Sequence, residues 1–317
     1  MLAILSVTFP FFALVLCGYV AVRRHMLPQL AIPGLNSFVL YFALPCMLYR
    51  FGAGTPIAQL LDVGVFSVYL LCALIMVGVT MAATLSHRID WNNAAFGSLV
   101  AAFPNTGFMG VPLLLALLGP SSSGPVIVTI VIDMVITSSL CIALSRMGGT
   151  GGGDPRAALG RALRGILANP MPWAIALGGI SSAVGLVLPK PVQQTVGLMA
   201  DAASPVALFT IGAVLARSQM STADPTPLRE YVPVALKKLL LHPLLIAGVG
   251  YGAIALGAPL DPAALTVIIL VGCLPSASNV ALLSERFGAN TGRIARIILV
   301  STSLSFLTFS AAVALLR

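Results

Sequence analysis

The sequence predicts an all-α polytopic membrane protein, and three observations carry that expectation. Of 317 residues, 58% are hydrophobic and only 8% charged, with a mean hydropathy of +1.03. Soluble domains carry roughly a quarter of their residues charged, so composition alone excludes that class. Apolar stretches close to the roughly 20 residues that span a bilayer recur along the whole chain. Finally, the basic residues fall on alternate joints between those stretches.

Ten apolar segments can be marked, near residues 3–22, 33–50, 62–85, 94–118, 125–145, 166–188, 194–216, 234–256, 263–285 and 294–316. The first has no basic residue before it and is followed by Arg23, Arg24 and His25, so it is expected to stay as a span rather than leave as a signal peptide. Arg88 follows the third segment, and Arg146, Arg156, Arg161 and Arg164 follow the fifth. Arg217, Arg229, Lys237 and Lys238 follow the seventh, and Arg286, Arg293 and Arg296 the ninth. Only Arg50, Lys190 and Arg317, three of the 17 Lys+Arg, follow even-numbered segments. The positive-inside bias then puts the odd joints in the cytoplasm and both termini outside.

The formal net charge is +8, but no basic run is interleaved with aromatic residues, so nucleic acid is not an expected partner. At span ends, basic residues set topology and meet the anionic headgroups of the bilayer. The five cysteines lie singly inside apolar stretches and are expected to act as small buried hydrophobes.

The longest polar joint, about 146–165, is rich in glycine and divides the chain into halves 1–145 and 166–317 of five segments each. An odd number per half inverts the second half in the membrane. Leu27-Pro28 is echoed by Leu188-Pro189, Ala43-Leu44-Pro45 by Ala203-Ser204-Pro205, and Phe103-Pro104-Asn105 by Leu274-Pro275-Ser276. Three echoes in the same order predict a 5+5 inverted repeat, a hallmark of many secondary transporters.

The last echo carries the chemistry. Phe103 to Pro112 and Gly272 to Val280 place proline, small residues and asparagine in the middle of apolar segments 4 and 9. Proline removes a backbone donor and clashes with the preceding turn, so both helices are expected to break there. Freed backbone groups cannot stay bare in hydrocarbon and must face protein, water or a ligand. A half-helix N-terminus offers N–H groups and partial positive charge to a carboxylate. The candidate binding residues are therefore Pro104, Asn105, Thr106, Gly107, Pro275, Ser276, Ser278 and Asn279. The alternative is a pair of proline kinks between packed helices.

Ionisable residues inside segments come next. Asp133 in segment 5 and Asp201 in segment 7 are candidates for ion coupling, as a proton carrier or cation ligand, or else neutral acids bonded to a neighbouring helix. Lys237, Lys238 and His242 stand at the start of segment 8. The lysines suit positive-inside anchoring with snorkelling stems. Lys238 could instead neutralise an acid or meet an anion, and His242 could be a packed histidine. No metal-ligand spacing, phosphate-binding glycine loop or Ser/His/Asp set appears, so no catalytic residue, metal or cofactor is expected beyond Na+ or H+ as coupling ion.

Pro104-Asn105-Thr106-Gly107-Phe108-Met109-Gly110 with Pro112, Lys238-Leu239 with His242-Pro243, Leu274-Pro275 with Asn279, and Ala203 to Gly212 resemble the auxin efflux carrier family. The resemblance covers essentially the whole chain and is to the bacterial branch, of malonate-type or general anion permeases. It implies a bacterial inner-membrane protein of ten helices, similar in fold to bile-acid symporters and sodium/proton antiporters. Helices 4 and 9 would break and cross near the midplane. Helices 1, 2, 6 and 7 would form a scaffold, often dimeric, beside a transport domain that moves like an elevator. The second-half motif with Asn279 departs from that of the plant carriers.

Together these readings give the expected function: a secondary transporter of a small mono- or dicarboxylate, with the anion between the half-helix ends. One charge crossing 100 mV is worth about 2.3 kcal/mol, so an inside-negative membrane drives anions outward unaided, and uptake needs H+ or Na+. A non-transporting anion sensor or assembly protein is the alternative, against which stands the lack of a soluble output domain. A membrane-embedded enzyme comes third.

Overall fold

A computed structural model describes residues 2–56, 62–147, 170–221 and 226–316. Among these residues all regular structure is helical. The helices are α1 (Leu2–Arg23), α2 (Ala31–Gly54), α3 (Val63–Thr84), α4 (Trp91–Ala102), α5 (Thr106–Leu118) and α6 (Pro120–Ser145). They continue with α7 (Pro170–Val184), α8 (Lys190–Ser221), α9 (Leu228–Ala255), α10 (Pro262–Cys273), α11 (Asn279–Arg286) and α12 (Thr291–Leu316). Stretches in α2, α3, α6, α8, α9 and α12 are long and apolar enough to cross a membrane, and α5, α10 and residues 9–23 of α1 are shorter apolar helices. The joint at 148–165, with its glycine run, lies outside the described residues, as do positions 166–169 of the sixth apolar segment.

These helices are apolar on both faces. In α3, Tyr69, Cys72, Ala73 and Met76 are buried while Phe66, Leu71, Leu74 and Val79 point outward. A helix with one face in protein and the other in hydrocarbon needs this pattern, because water rewards neither side. The chain is a multi-pass membrane protein. Of the cysteines, Cys72, Cys141 and Cys273 are buried as expected, whereas Cys46 is partly exposed and Cys17 is exposed on an outward face of α1. An apolar stretch says that a residue avoids water; it does not say whether protein or lipid receives it.

The described chain forms two compact units, each assembled from separate stretches of sequence. One comprises Met1–Asp62, Gly107–Val128 and Asn169–Ser221; the other comprises Val63–Thr106, Thr129–Ala168 and Thr222–Arg317. In the first unit α1 packs along α8, and α2 along α7. Both crossings are made close by glycine. A Cβ on Gly18 would stand 1.8 Å from the Phe209 carbonyl oxygen, and one on Gly212 would stand 1.8 Å from that of Val15. In the second crossing a Cβ on Gly178 would meet the Tyr49 carbonyl oxygen at 2.6 Å, and one on Gly52 that of Ile175 at 3.1 Å. Without a hydrophobic drive between helices in lipid, small residues that let backbones approach become the packing device. The residues correspond pairwise: Val15 with Ile175, Gly18 with Gly178, Tyr49 with Phe209 and Gly52 with Gly212, each pair 160 positions apart.

The second unit shows the same kind of correspondence. Helix α4 is 12 residues long, and the carboxylate of its N-cap Asp90 accepts from the Asn93 N–H at 2.8 Å. Helix α10 is also 12 residues long, and the carboxylate of its N-cap Asp261 accepts from the Ala264 N–H at 3.3 Å. Such caps satisfy donors that a helix start otherwise leaves open. Both helices end where the sequence breaks them, at Phe103-Pro104 and at Leu274-Pro275.

Arg293, expected among the positive-inside residues, is instead 2% exposed. Its Nε donates to the Glu230 carbonyl at 2.9 Å and its Nη1 to the Asn93 carbonyl at 3.0 Å, tying the starts of α12, α9 and α4 together.

Candidate functional site

The apolar runs of segments 4 and 9 are interrupted where the prolines stand, and the two interruptions meet. Pro104 and Ser276 face each other as an isolated antiparallel bridge. The Asn105 N–H donates to the Pro275 carbonyl at 2.8 Å, and the Ala277 N–H donates to the Phe103 carbonyl at 2.9 Å. Two hydrogen bonds of a β-ladder thus replace helical bonds that the prolines forbid. The Ser276 N–H is satisfied by the Ser301 hydroxyl of α12 at 3.2 Å. The backbone of both breaks is thereby held in an extended form that no hydrocarbon-exposed segment could keep.

Side chains at this meeting point are not all satisfied. Asn105 is 3% exposed, and Thr106 and Ser276 are fully buried. Thr106 Oγ1, Ser276 Oγ and Asn279 Oδ1 are buried without a hydrogen-bond partner. Helix α11 begins at Asn279 with no side-chain cap from Ser278. Buried polar atoms are usually paired, so unpaired ones clustered at a break mark a place built to meet something else. The structure brings together Pro104, Asn105, Thr106, Pro275, Ser276, Ser278 and Asn279 in one unit. Gly107, the next residue along α5, falls in the other unit, where Leu44 is its nearest neighbour beyond its own helix.

A second cluster lies in the same unit. Asp133 is fully buried and sits on a π-helical turn of α6, Ile132–Thr137. The Tyr69 hydroxyl of α3 donates to its Oδ2 at 2.8 Å and the Thr137 hydroxyl to its Oδ1 at 3.3 Å. Lys238 and His242 are also fully buried, on α9, with Lys238 on the π-helical turn Lys237–Leu241. Such wide turns inside α-helices recur at functional sites. Lys238 Nζ donates to the Gly272 carbonyl at 2.6 Å and lies 3.1 Å from His242 Nδ1. The His242 and Tyr69 rings are 6.0 Å apart, so contacts run from Asp133 through Tyr69 and His242 to Lys238. Gly272 stands at the end of α10, two residues before the helix gives way at Leu274. The ammonium thus stands where a helix C-terminus presents free carbonyls and partial negative charge.

Lys238 is therefore not a snorkelling anchor. The helix starts at Leu228 rather than near 234, which places Lys238 ten residues in, and its side chain is fully buried. Asp201 is placed elsewhere, in the other unit, where it pairs with Arg50 at 2.7 Å and remains 68% exposed. Tyr69, Thr137 and Ser301 escaped the sequence reading. A tyrosine hydroxyl within an apolar run must find a partner, and that was the signal available for Tyr69.

Comparison with known proteins identifies the family. The family model described as "Membrane transport protein" matches residues 3–151 and 154–313. A Rhizobium meliloti protein named "Putative malonate transporter" is 29% identical over 326 residues, covering 100% of this chain and 97% of its own. The Escherichia coli "Uncharacterized transporter YfdV" is 26% identical over 290 residues, 89% of this chain and 88% of its own. A rice protein named "Auxin efflux carrier component 3a" is 30% identical over 117 residues, 35% of this chain and 18% of its own. The chain is thus a transport protein rather than an enzyme, and it belongs to the membrane transport protein family that includes the auxin efflux carriers.

Proposed function

We propose that this transporter moves a small mono- or dicarboxylate by alternating access, binding the anion where the two interrupted helices meet. The observation that carries this reading is the pair of buried, unpartnered hydroxyls Thr106 Oγ1 and Ser276 Oγ beside a paired backbone break. Hydroxyls donate to carboxylate oxygens, the Asn105 and Asn279 amides add N–H donors, and the uncapped start of α11 adds backbone N–H groups and partial positive charge. Neutral donors of this kind hold an anion without binding it too tightly to release. The malonate named for the R. meliloti relative belongs to the same chemical class.

The chain is organised as a 5+5 inverted repeat of ten membrane helices, residues 1–145 and 166–317 joined by a cytoplasmic linker at 146–165. The glycine crossings related by 160 positions and the two Asp-capped, 12-residue helices α4 and α10 support that reading. Helices α1, α2, α7 and α8 form a scaffold through which the protein dimerises, and the other helices, α3–α6 and α9–α12, move as an elevator. The two compact units support this division except at Gly107–Val128, which belongs to the unit of the scaffold helices. Both termini lie on the periplasmic side of the bacterial inner membrane. Export is driven by the potential, or transport is coupled to H+ or Na+ through Asp133.

The test is charge movement and tracer flux in proteoliposomes on adding a panel of anions including malonate, succinate, lactate and indole-3-acetate. Flux elicited by at least one anion and lost in Asn105→Ala is the expected result. Silence across the panel in both assays contradicts transport of a carboxylate.

A further inference from the structure

We propose that His242 is a proton relay working with Lys238, so that the ion coupled to anion movement is H+. The inference rests on the transport reading above and deepens it.

The geometry is specific about what the imidazole can do. Its Nδ1 lies 3.1 Å from Lys238 Nζ, while its Nε2 is buried with no hydrogen-bond partner. An ammonium has only donors, so beside charged Lys238 the Nδ1 must accept and the hydrogen must sit on Nε2. A neutral amine reverses the pair: Nδ1–H then donates to Nζ, and Nε2 becomes a bare acceptor. The two arrangements differ by one proton. When the site releases it, the Nε2 hydrogen leaves as H+ to water on the open side, and one Lys238 proton crosses to Nδ1. The two transfers are concerted, so the ring starts and ends neutral and the lysine ends as an amine. Uptake runs the same steps backward. Lys238 and His242 are both fully buried here, so Nε2 meets water only in another state of the alternating-access cycle.

The surroundings favour a proton over a metal cation. Both carboxylate oxygens of Asp133 already accept hydroxyl hydrogen bonds, from Tyr69 and Thr137. A cationic ammonium in the same cluster opposes a second cation, and a metal ion would need several free oxygen ligands. The other ionisable groups facing the pair are Asp133 on α6 and Cys273 on α10, with Tyr69, Cys72 and Cys141 around Asp133. Helices α4 and α12 also pack against this stretch, yet residues 94–102 and 297–316 contain no acidic or basic side chain. Release of the proton is tied to the anion site through the Gly272 carbonyl, which holds Lys238 at the end of α10 beside the break.

The test uses full-length protein in proteoliposomes, with two readouts. Counterflow of labelled malonate needs only anion exchange; a trapped pH dye reports protons that move with it. In wild type, malonate entry is accompanied by proton movement, an imposed pH gradient drives accumulation, and a sodium gradient does not. His242→Asn places an amide oxygen where Nδ1 accepted but cannot pass a proton, so counterflow stays within about threefold of wild type while proton movement falls at least tenfold. Lys238→Arg keeps a charged donor that never gives up its proton, and provides the same comparison should the asparagine variant not fold. Proton movement that survives with counterflow in either variant overturns the relay. Accumulation driven by sodium alone overturns the assignment of the ion. Counterflow absent from wild type for every anion of the panel removes the transport reading itself, and the relay falls with it.

Discussion

The backbone N–H of Asn105 donates to the carbonyl oxygen of Pro275 at 2.8 Å, joining two helix breaks that lie 170 positions apart in sequence. Main chain makes this bond, so the contact does not use the Asn105 side chain. Asn105→Ala is expected to leave thermal stability nearly unchanged, within about 1 kcal/mol, while transport falls at least tenfold. Denaturation followed in detergent, with flux measured on the same preparation, separates the two effects. Stability and transport lost together would return Asn105 to a structural role.

The glycine crossings set the packing of the first unit. Gly18→Ala and Gly212→Ala place a methyl 1.8 Å from a carbonyl oxygen of the facing helix, and backbone cannot yield as a side chain can. Each is expected to cost about 1–3 kcal/mol, the range for overpacked sites. Gly78→Ala and Gly248→Ala, where nothing lies within 4 Å, are the controls and should be neutral or slightly stabilising. Melting temperatures of the four variants in one detergent check this.

Asp133 and Asp201 are both candidates for ion coupling in the sequence, and their surroundings separate their expected behaviour. Asp133→Asn alters a buried group bonded by Tyr69 and Thr137, and should abolish proton-driven accumulation. Asp201 pairs with Arg50 at the surface, where such pairs contribute at most about 1 kcal/mol, so Asp201→Asn should leave accumulation unchanged. Accumulation lost in Asp201→Asn and kept in Asp133→Asn would reverse the assignment.

Arg293 holds two carbonyls from other helices while buried. Arg293→Ala leaves both acceptors short of a donor and should destabilise by about 3 kcal/mol or more. Arg293→Lys should recover only part of that, since an ammonium lacks the planar fork that reaches both carbonyls. Chemical or thermal denaturation of the pair of variants gives the answer.

Much of this was legible in the sequence, for reasons visible in particular residues. Pro104 and Pro275 forbid continuous helices, so the breaks could be placed to within a residue or two. The low charge content required a membrane protein, and the Pro-Asn-Thr-Gly motif pointed to the family. What could not be read was contact. Tyr69 looks like any aromatic residue in an apolar run until α6 brings Asp133 to it. Lys238 reads as an anchor because a lysine near a span end is usually one; only its contacts with Gly272 and His242 show it turned inward. Gly18 and Gly212 are unremarkable among 30 glycines until their facing carbonyls are known. Periodicity reports the face a residue takes, not the partner it finds there.

The central claim is that the anion binds where the two breaks meet, and direct binding tests it most simply. Purified protein would be titrated with labelled malonate, comparing wild type with Thr106→Val, which removes an unpartnered hydroxyl donor, and Asn279→Ala, which removes an amide N–H donor. The account predicts that either change weakens binding about tenfold, or about 1.4 kcal/mol, and that the two together weaken it further. Undiminished malonate affinity in both variants would contradict it and place the anion elsewhere.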